Sequence, residues 1–166
     1  MKQRLLFISF IFFVLTLQGS KCRVKTCPPD YRAYNLHHLT PKGFDHIFRG
    51  DFKSSGECSG CHHISAEKCG YVKIKKIKKK NKQGIFTAKI SMEHNGIFCE
   101  KEHSTFFPQE WSIQHTLDKI EEAYQNSKLI QSEKRIGKTK EGITITLLMD
   151  KNAPTKIFNA YPVLEE

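Results

Sequence analysis

The sequence predicts an α+β domain built largely on antiparallel sheet with a few helices, and three observations predict it. The chain has 166 residues with 39% hydrophobic content and 12 Phe, enough for one buried core and too short for a large multidomain enzyme. Runs rich in β-favouring residues, at 70–80, from Gly84 ("GIFTAKISM"), from Gly96 ("GIFCEK") and near the C-terminus ("GITITLLM", "TKIFNAYPV"), are separated by turn signals. Against these strands stands one clear helical pattern, with no internal repeat or linker to divide the chain.

The elements follow in order. Lys2 and Arg4 precede an apolar run at 5–17, broken only by Ser9 and Thr16, and Gln18, Gly19 and Ser20 offer a cleavage region. Residues 1–20 therefore read as a secretory signal, the run being shorter than the roughly 20 residues of a spanning helix. Residues 21–166 form the domain, expected to be secreted or periplasmic with no stable membrane association after signal cleavage. Residues 22–42 read as irregular or weakly helical, with Pro28, Pro29 and Pro41 as breakers. The strands at 70–80 and from Gly84 join through a turn at 81–84, and Asn95-Gly96 turns the chain into a further strand. Ser112 caps a helix that carries Ile113, Leu117, Ile120, Ala123 and Tyr124 on one stripe. Phe106, Phe107 and Trp111 read as core. A strand pair separated by 150–154 ends the chain.

Lys and Arg number 27 against 17 Asp and Glu, a formal charge of +10. Signal removal takes two positive charges and no acid, so the basic character belongs to the domain and favours an anionic partner. Seven lysines lie between Lys73 and Lys82. With Ile74 and Ile77 turned inward, they read either as the solvated face of a hairpin or as a phosphate-binding rim that holds RNA without reading its sequence.

All six cysteines (Cys22, Cys27, Cys58, Cys61, Cys69, Cys99) follow the signal, and in an oxidising compartment disulfides are the expectation, with the pairing left open by sequence. "CSGCH" at 58–62 also matches a c-type haem attachment pattern, with Cys58 and Cys61 as thioethers and His62 as axial ligand. Small cytochromes are helical, whereas this chain reads as strand downstream. Zinc held by Cys58, Cys61, His62 or His63, and Cys69 is a further alternative. The favoured reading is that the cysteines staple a loop that presents His62.

Two of the eight histidines stand out: His46 in "GFDHIFRGDF" and His62 in "SGCHHIS", which flank a loop containing Gly50, Gly56 and Gly60. Metal-free RNA cleavage needs a base for the ribose 2′-hydroxyl, an acid for the departing 5′-oxygen and a cation beside the phosphorus. Histidine suits both proton roles, each worth about 10²–10⁴-fold, and a lysine suits the third.

"HIFRGDF", with its histidine sixteen positions before that of "GCH", resembles the two-histidine signature of the EndoU superfamily. "KEHSTFFPQEWS" at 101–112 is similar to the bacterial EndoU segment that supplies a lysine and, three to four residues on, a hydroxyl, and the closing "NAYPV" also fits. The resemblance spans 46–162. It implies His62 as general base, His46 as general acid and Lys101 as the stabilising cation. It further implies Ser104 or Thr105 at the base edge and Tyr161 against the ribose or base, with a 2′,3′-cyclic phosphate and a 5′-hydroxyl as products. Asn159 stands where relatives often carry Ser or Thr, which leaves the uridine preference open. His63 leaves the choice of base open, although Gly-x-His favours His62. The implied enzyme is a secreted endoribonuclease acting on single-stranded RNA, with no required cofactor or metal and with Mn²⁺ stimulation in some relatives. A toxin role would imply a cognate inhibitor (immunity) protein. The competing readings are a haem electron-transfer protein and a non-catalytic RNA-binding module stapled by disulfides or zinc.

Overall fold

Helix α1 (Pro41–Phe48) begins where the sequence supplies both a cap and a proline. Thr40 Oγ1 accepts from Gly43 N at 2.9 Å, and Pro41 sits in the first turn, where no N–H is needed. In the computed structural model, which describes Cys27 and residues 30–53, 55–94 and 96–165, α1 packs Phe44, Ile47 and Phe48 into the core. Sequence reading assigns no helix here, because two turns holding a glycine and two aromatics carry little helical signal of their own. Tertiary packing decides it: a Cβ on Gly43 would stand 2.7 Å from the Phe158 carbonyl. The predicted signal at 1–20, Cys22, Pro28, Pro29 and Asn95 lie outside the described residues.

Three sheets, all antiparallel, and three α-helices build the described α+β fold. After α1, β1 (Asp51–Phe52) pairs with β2 (Cys58–Ser59), and the short α2 (Ser65–Lys68) follows. β3 (Val72–Lys80), β4 (Phe86–His94) and β5 (Ile97–Phe106) form the second sheet in that order. α3 (Ile113–Gln125) leads into β6 (Lys128–Gln131), β7 (Lys134–Lys138), β8 (Thr144–Asp150) and β9 (Ala153–Pro162), again paired in order.

The predicted turns at 81–84 and 150–154 and the predicted Ser112 cap are present with their chemistry. Asn81 Oδ1 accepts from Ile85 N at 3.0 Å between β3 and β4, Ser112 Oγ accepts from His115 N at 3.1 Å to cap α3, and Asp150 Oδ1 accepts from Asn152 N at 2.8 Å before β9. Two expectations change. Ile77 does not point into the core; it is 47% exposed, because register shifts at Ile74/Lys76 and Ile77/Lys79 break the alternation along β3. Trp111 is only partly buried, packed against the core beside the fully buried Phe107. The β6–β7 hairpin is unforeseen, since its "KLIQ" strand is exposed throughout and shows no buried face to read.

Two apolar clusters result. One joins α1 and α3 to the four-stranded sheet; the other lies beneath the three-stranded sheet and includes Cys61, Phe86, Ile90 and Phe106. The segment at 60–63 lies at their seam. Cys61 N and His62 N, each at 2.8 Å, donate to the His46 and Ile47 carbonyls near the end of α1, and Phe107 N donates to the His62 carbonyl. Carbonyls in the last turn of a helix lack intrahelical partners, so this loop takes the place of a further turn.

Candidate active site

Gly60 is what lets the loop approach α1 so closely. Its φ is +69°, and a Cβ there would run into the His46 carbonyl oxygen. The approach sets the two histidine rings side by side, with centroids 6.2 Å apart. The floor of the resulting cleft, about 740 Å³ in volume, is formed by α1, the 59–62 loop, β5, β8 and β9.

Both rings are held by one nitrogen and offer the other. His46, 6% exposed, has Nδ1 2.6 Å from Asp51 Oδ2. A carboxylate accepts, so Nδ1 carries the hydrogen and Nε2 is left to the cleft. His62 Nδ1 lies 2.7 Å from the Thr105 carbonyl, which likewise only accepts, so Nε2 is again the free nitrogen. Burial pushes His62 down to about 3, helped by the Lys101 ammonium and His46, against the Thr105 carbonyl, which favours the charged ring. The His62 ring is therefore neutral across the ordinary pH range, with Nε2 unprotonated. Tyr161 stacks on it at 5.4 Å.

Lys101 reaches the cleft from β5. Its Nζ donates to the Gly60 carbonyl at 2.8 Å and to Ser104 Oγ at 3.2 Å, and burial lowers its pKa from the ordinary value. Thr105, Asn159 and Tyr161 line the same cleft. Asn159 Oδ1 is buried without a hydrogen-bond partner, an arrangement that leaves an acceptor for an incoming group.

The cleft thus gathers His46, His62, Lys101, Thr105, Asn159 and Tyr161. Ser104 and His63 do not line it. Ser104 is 1% exposed, with Oγ 2.6 Å from the Cys61 carbonyl and 3.2 Å from that of Gly60, so its hydroxyl is committed to the loop and to Lys101. His63 points to the opposite side of the loop. Its Nδ1 accepts from Ser65 N at 3.1 Å and its Nε2 meets the Trp111 carbonyl at 3.1 Å, while its edge packs on Phe48 at 5.0 Å. Burial pushes it to about 4, with Lys68 adding to the effect. Sequence reading misses Asp51, whose signal was its place five residues after His46 in "HIFRGDF", and also Lys42, His103 and Phe158, which line the cleft without a motif.

The cysteines correct two alternatives. Cys58 is bonded to Cys99 and Cys27 to Cys69, so Cys58 has no sulfur left for a thioether. Cys61 is fully buried among apolar side chains, its thiol pushed up to about 12 by burial. The c-type haem arrangement through Cys58, Cys61 and His62 is thereby ruled out in this fold. The proposed zinc set loses Cys58 and Cys69 to the same disulfides. The Cys58–Cys99 bond ties β2 to β5 two residues from both Gly60 and Lys101, a staple beside the cleft.

Comparison with known proteins places the chain in a family. The family model described as bacterial EndoU nuclease matches residues 40–164. A Bacillus cereus (strain ATCC 14579) protein named "Toxin" is 32% identical over 132 residues, which cover 77% of this chain and 24% of the relative. The chain therefore spans about a quarter of that protein's length. Among solved structures, the endoribonuclease Nsp15 encoded by Middle East Respiratory Syndrome Coronavirus is similar with a TM-score of 0.51. That match covers 77% of this chain and 35% of the other at 16% identity, a likeness of fold. With the family match extending over the whole cleft, from the Thr40 cap to beyond Tyr161, the chain belongs to the bacterial EndoU nuclease family.

Proposed function

We propose that this chain is an endoribonuclease that cleaves single-stranded RNA by attack of a ribose 2′-oxygen on the adjacent phosphorus. The observation that carries the reading is the pair of imidazoles, each anchored through Nδ1 and each leaving Nε2 to one cleft that also holds a lysine. His62 Nε2 takes the proton of the 2′-hydroxyl as the 2′-oxygen bonds to phosphorus. His46 enters this step as the imidazolium, its Nδ1 hydrogen held by Asp51 and a second hydrogen on Nε2, and gives the Nε2 proton to the departing 5′-oxygen. Lys101 stabilises the charge that gathers on the phosphoryl oxygens. The products are a 2′,3′-cyclic phosphate and a 5′-hydroxyl, and the balance needs no metal. Tyr161 packs on the ribose or base, and Thr105 and Asn159 meet the base edge, with uridine the expected preference.

The name of the Bacillus cereus relative and the two disulfides support a toxin exported from the reducing cytoplasm, secreted or periplasmic. Among the described residues no helix is long and apolar enough to cross a membrane. Such a toxin would be paired with an inhibitor (immunity) protein in the producing cell.

The test uses protein beginning at Lys21 and an RNA oligomer with one uridine, beside a matched oligomer with deoxyuridine, each with EDTA or with Mn²⁺. Cleavage at the ribo site alone, leaving a cyclic phosphate and persisting in EDTA, is expected. It is lost in His46→Ala and His62→Ala. Cutting at the deoxy site, or full activity in both folded variants, would overturn the assignment.

A further inference from the structure

The lysine run of β3 is not used by the cleft chemistry, yet the sheet connects the two. His103, on β5, lines the cleft. Its Nε2 lies 3.4 Å from Lys78 Nζ on β3, reached across the intervening β4. Thr105, also in the cleft, is in register with Thr87, which is in register with Lys79. One face of the sheet therefore runs without a break from the cleft to the lysine row.

The charges on this face are unequal. Glu100 and Glu102 stand nearest the cleft, and both are taken up by Lys89, at 2.8 and 2.6 Å, with Lys78 also on Glu102 at 3.2 Å. Lys73 and Lys76 lie opposite Ser91 and Lys89 in the ladder. They and Lys75 are exposed, and they have no ion pair among the described residues. Lysine on an edge strand also deters pairing with other sheets, but edge protection requires one or two charges rather than three unpaired lysines on the strand whose Lys78 reaches a cleft residue.

We propose that this face is a track for the RNA flanking the cleavage site, held through its phosphates from His103 across β4 to Lys73. The proposal rests on the ribonuclease reading and extends it: the substrate is an extended single strand rather than a dinucleotide or a short end. From Lys73 to Lys79 the strand rises about 20 Å, and the step from β5 to β3 adds about 10 Å, room for several phosphates. Contacts of this kind position the strand and carry no base information.

The experiment compares the wild type with Lys73→Gln/Lys75→Gln/Lys76→Gln, and with the corresponding triple Arg variant. The probes are a uridylyl-adenosine dinucleotide and an adenosine 12-mer with one central uridine; for binding, the same 12-mer carries deoxyuridine. In the Gln variant, dinucleotide cleavage is expected to be unchanged while the 12-mer KM rises about tenfold. The slope of log affinity against log salt is expected to shrink by about 2, the change produced when three lysines cease to neutralise single-strand phosphates. The Arg variant restores both. Equal losses on dinucleotide and 12-mer, or wild-type binding and salt slope in the Gln variant, would overturn the track, and the latter is the result expected if the row serves an acidic protein instead. If the wild type binds the deoxyuridine 12-mer through these lysines but cuts neither RNA, the track stands and the ribonuclease reading falls.

Discussion

Acidification from about pH 7.5 to 5 should destabilise this protein through two histidines with different neighbours. His62, facing Lys101, His46 and Tyr161, is pushed to about 3, and His63, facing Lys68 and the Trp111 carbonyl, to about 4. In the unfolded chain both return to the ordinary value near 6.5. The unfolded state then binds more protons at every pH between the folded and unfolded values, so stability is complete above about 6.5 and is lost as pH falls toward 4 and 3. Integrated down to pH 5, each ring contributes about 2 kcal/mol of loss, together about 4 kcal/mol, a large share of the 5–15 kcal/mol typical of a domain. Paired carboxylates such as Glu141, held at about 2 by Lys119, act in the same direction but below about pH 4.5, so the upper interval belongs to the histidines. Urea unfolding followed by Trp111 fluorescence at about pH 7.5, 6 and 5 measures the loss. His63→Gln, outside the cleft, should halve the pH dependence while the cleavage pH profile keeps its shape. A free energy constant to within about 1 kcal/mol over this range, or an unchanged slope in His63→Gln, would refute the reasoning.

Other consequences are testable at single sites. Asp51→Asn leaves the His46 ring without a carboxylate to hold its Nδ1 hydrogen, and kcat should fall on the order of 10²-fold with KM little changed in steady-state cleavage of the single-uridine oligomer. Asn159→Ala removes the unpartnered buried acceptor of the cleft; kcat/KM at uridine should drop about 3- to 10-fold, the worth of one hydrogen bond, with no loss of stability in a thermal melt. Replacing both Cys58 and Cys99 by Ser opens a loop of 41 residues' separation and should cost about 4 kcal/mol by chain entropy, read by urea unfolding. Because the bond joins β2 to β5 beside Lys101, the same variant should lose cleavage under conditions where circular dichroism still reports folded protein.

What the sequence disclosed depended on whether a signal was local. The β3–β4 turn at Asn81, the Ser112 cap and the strand runs of β4, β5, β8 and β9 were legible because each rests on side chains within a few positions of one another. Helix α1 was not, since what fixes it is the backbone contact of Gly43 with β9, more than a hundred positions away. Among the site residues, the two-histidine spacing singled out His46 and His62, yet nothing local distinguishes Ser104 from Thr105, and only the Gly-x-His pattern favours His62 over His63. A β-bulge in β5 between Lys101 and Ser104, opposite Ala88 and Ile90, decides the first pair, turning Ser104 inward beside Lys101 while Thr105 faces the cleft. The hydrogen bonds of Cys61 N and His62 N to α1 decide the second. Asp51 was visible only as a letter in "HIFRGDF"; its role beside His46 depends on β1 bending back to pair with β2.

The cleft draws its parts from both apolar clusters, which explains why its supports are so densely tied. His46 comes from α1 and Tyr161 and Asn159 from β9, on the side of the first cluster; Lys101 and Thr105 come from the sheet over the second. A sliding motion between the clusters of even about 1 Å would move the two imidazoles apart from the lysine, and for the proposed reaction such misplacement is enough to cost about 10²-fold in rate. The segment at 60–62 spans that seam with two backbone bonds to α1, the Lys101 and Ser104 bonds to its carbonyls, and the disulfide from its neighbour Cys58 to β5. Cys61, buried beside these ties and weakly acidic, packs into the second cluster as an apolar side chain. A small chain whose candidate site depends on a glycine's close approach to a helix therefore keeps its histidines in register by tying one loop to α1 through backbone bonds and to β5 through side-chain bonds and a disulfide, rather than by enlarging either core.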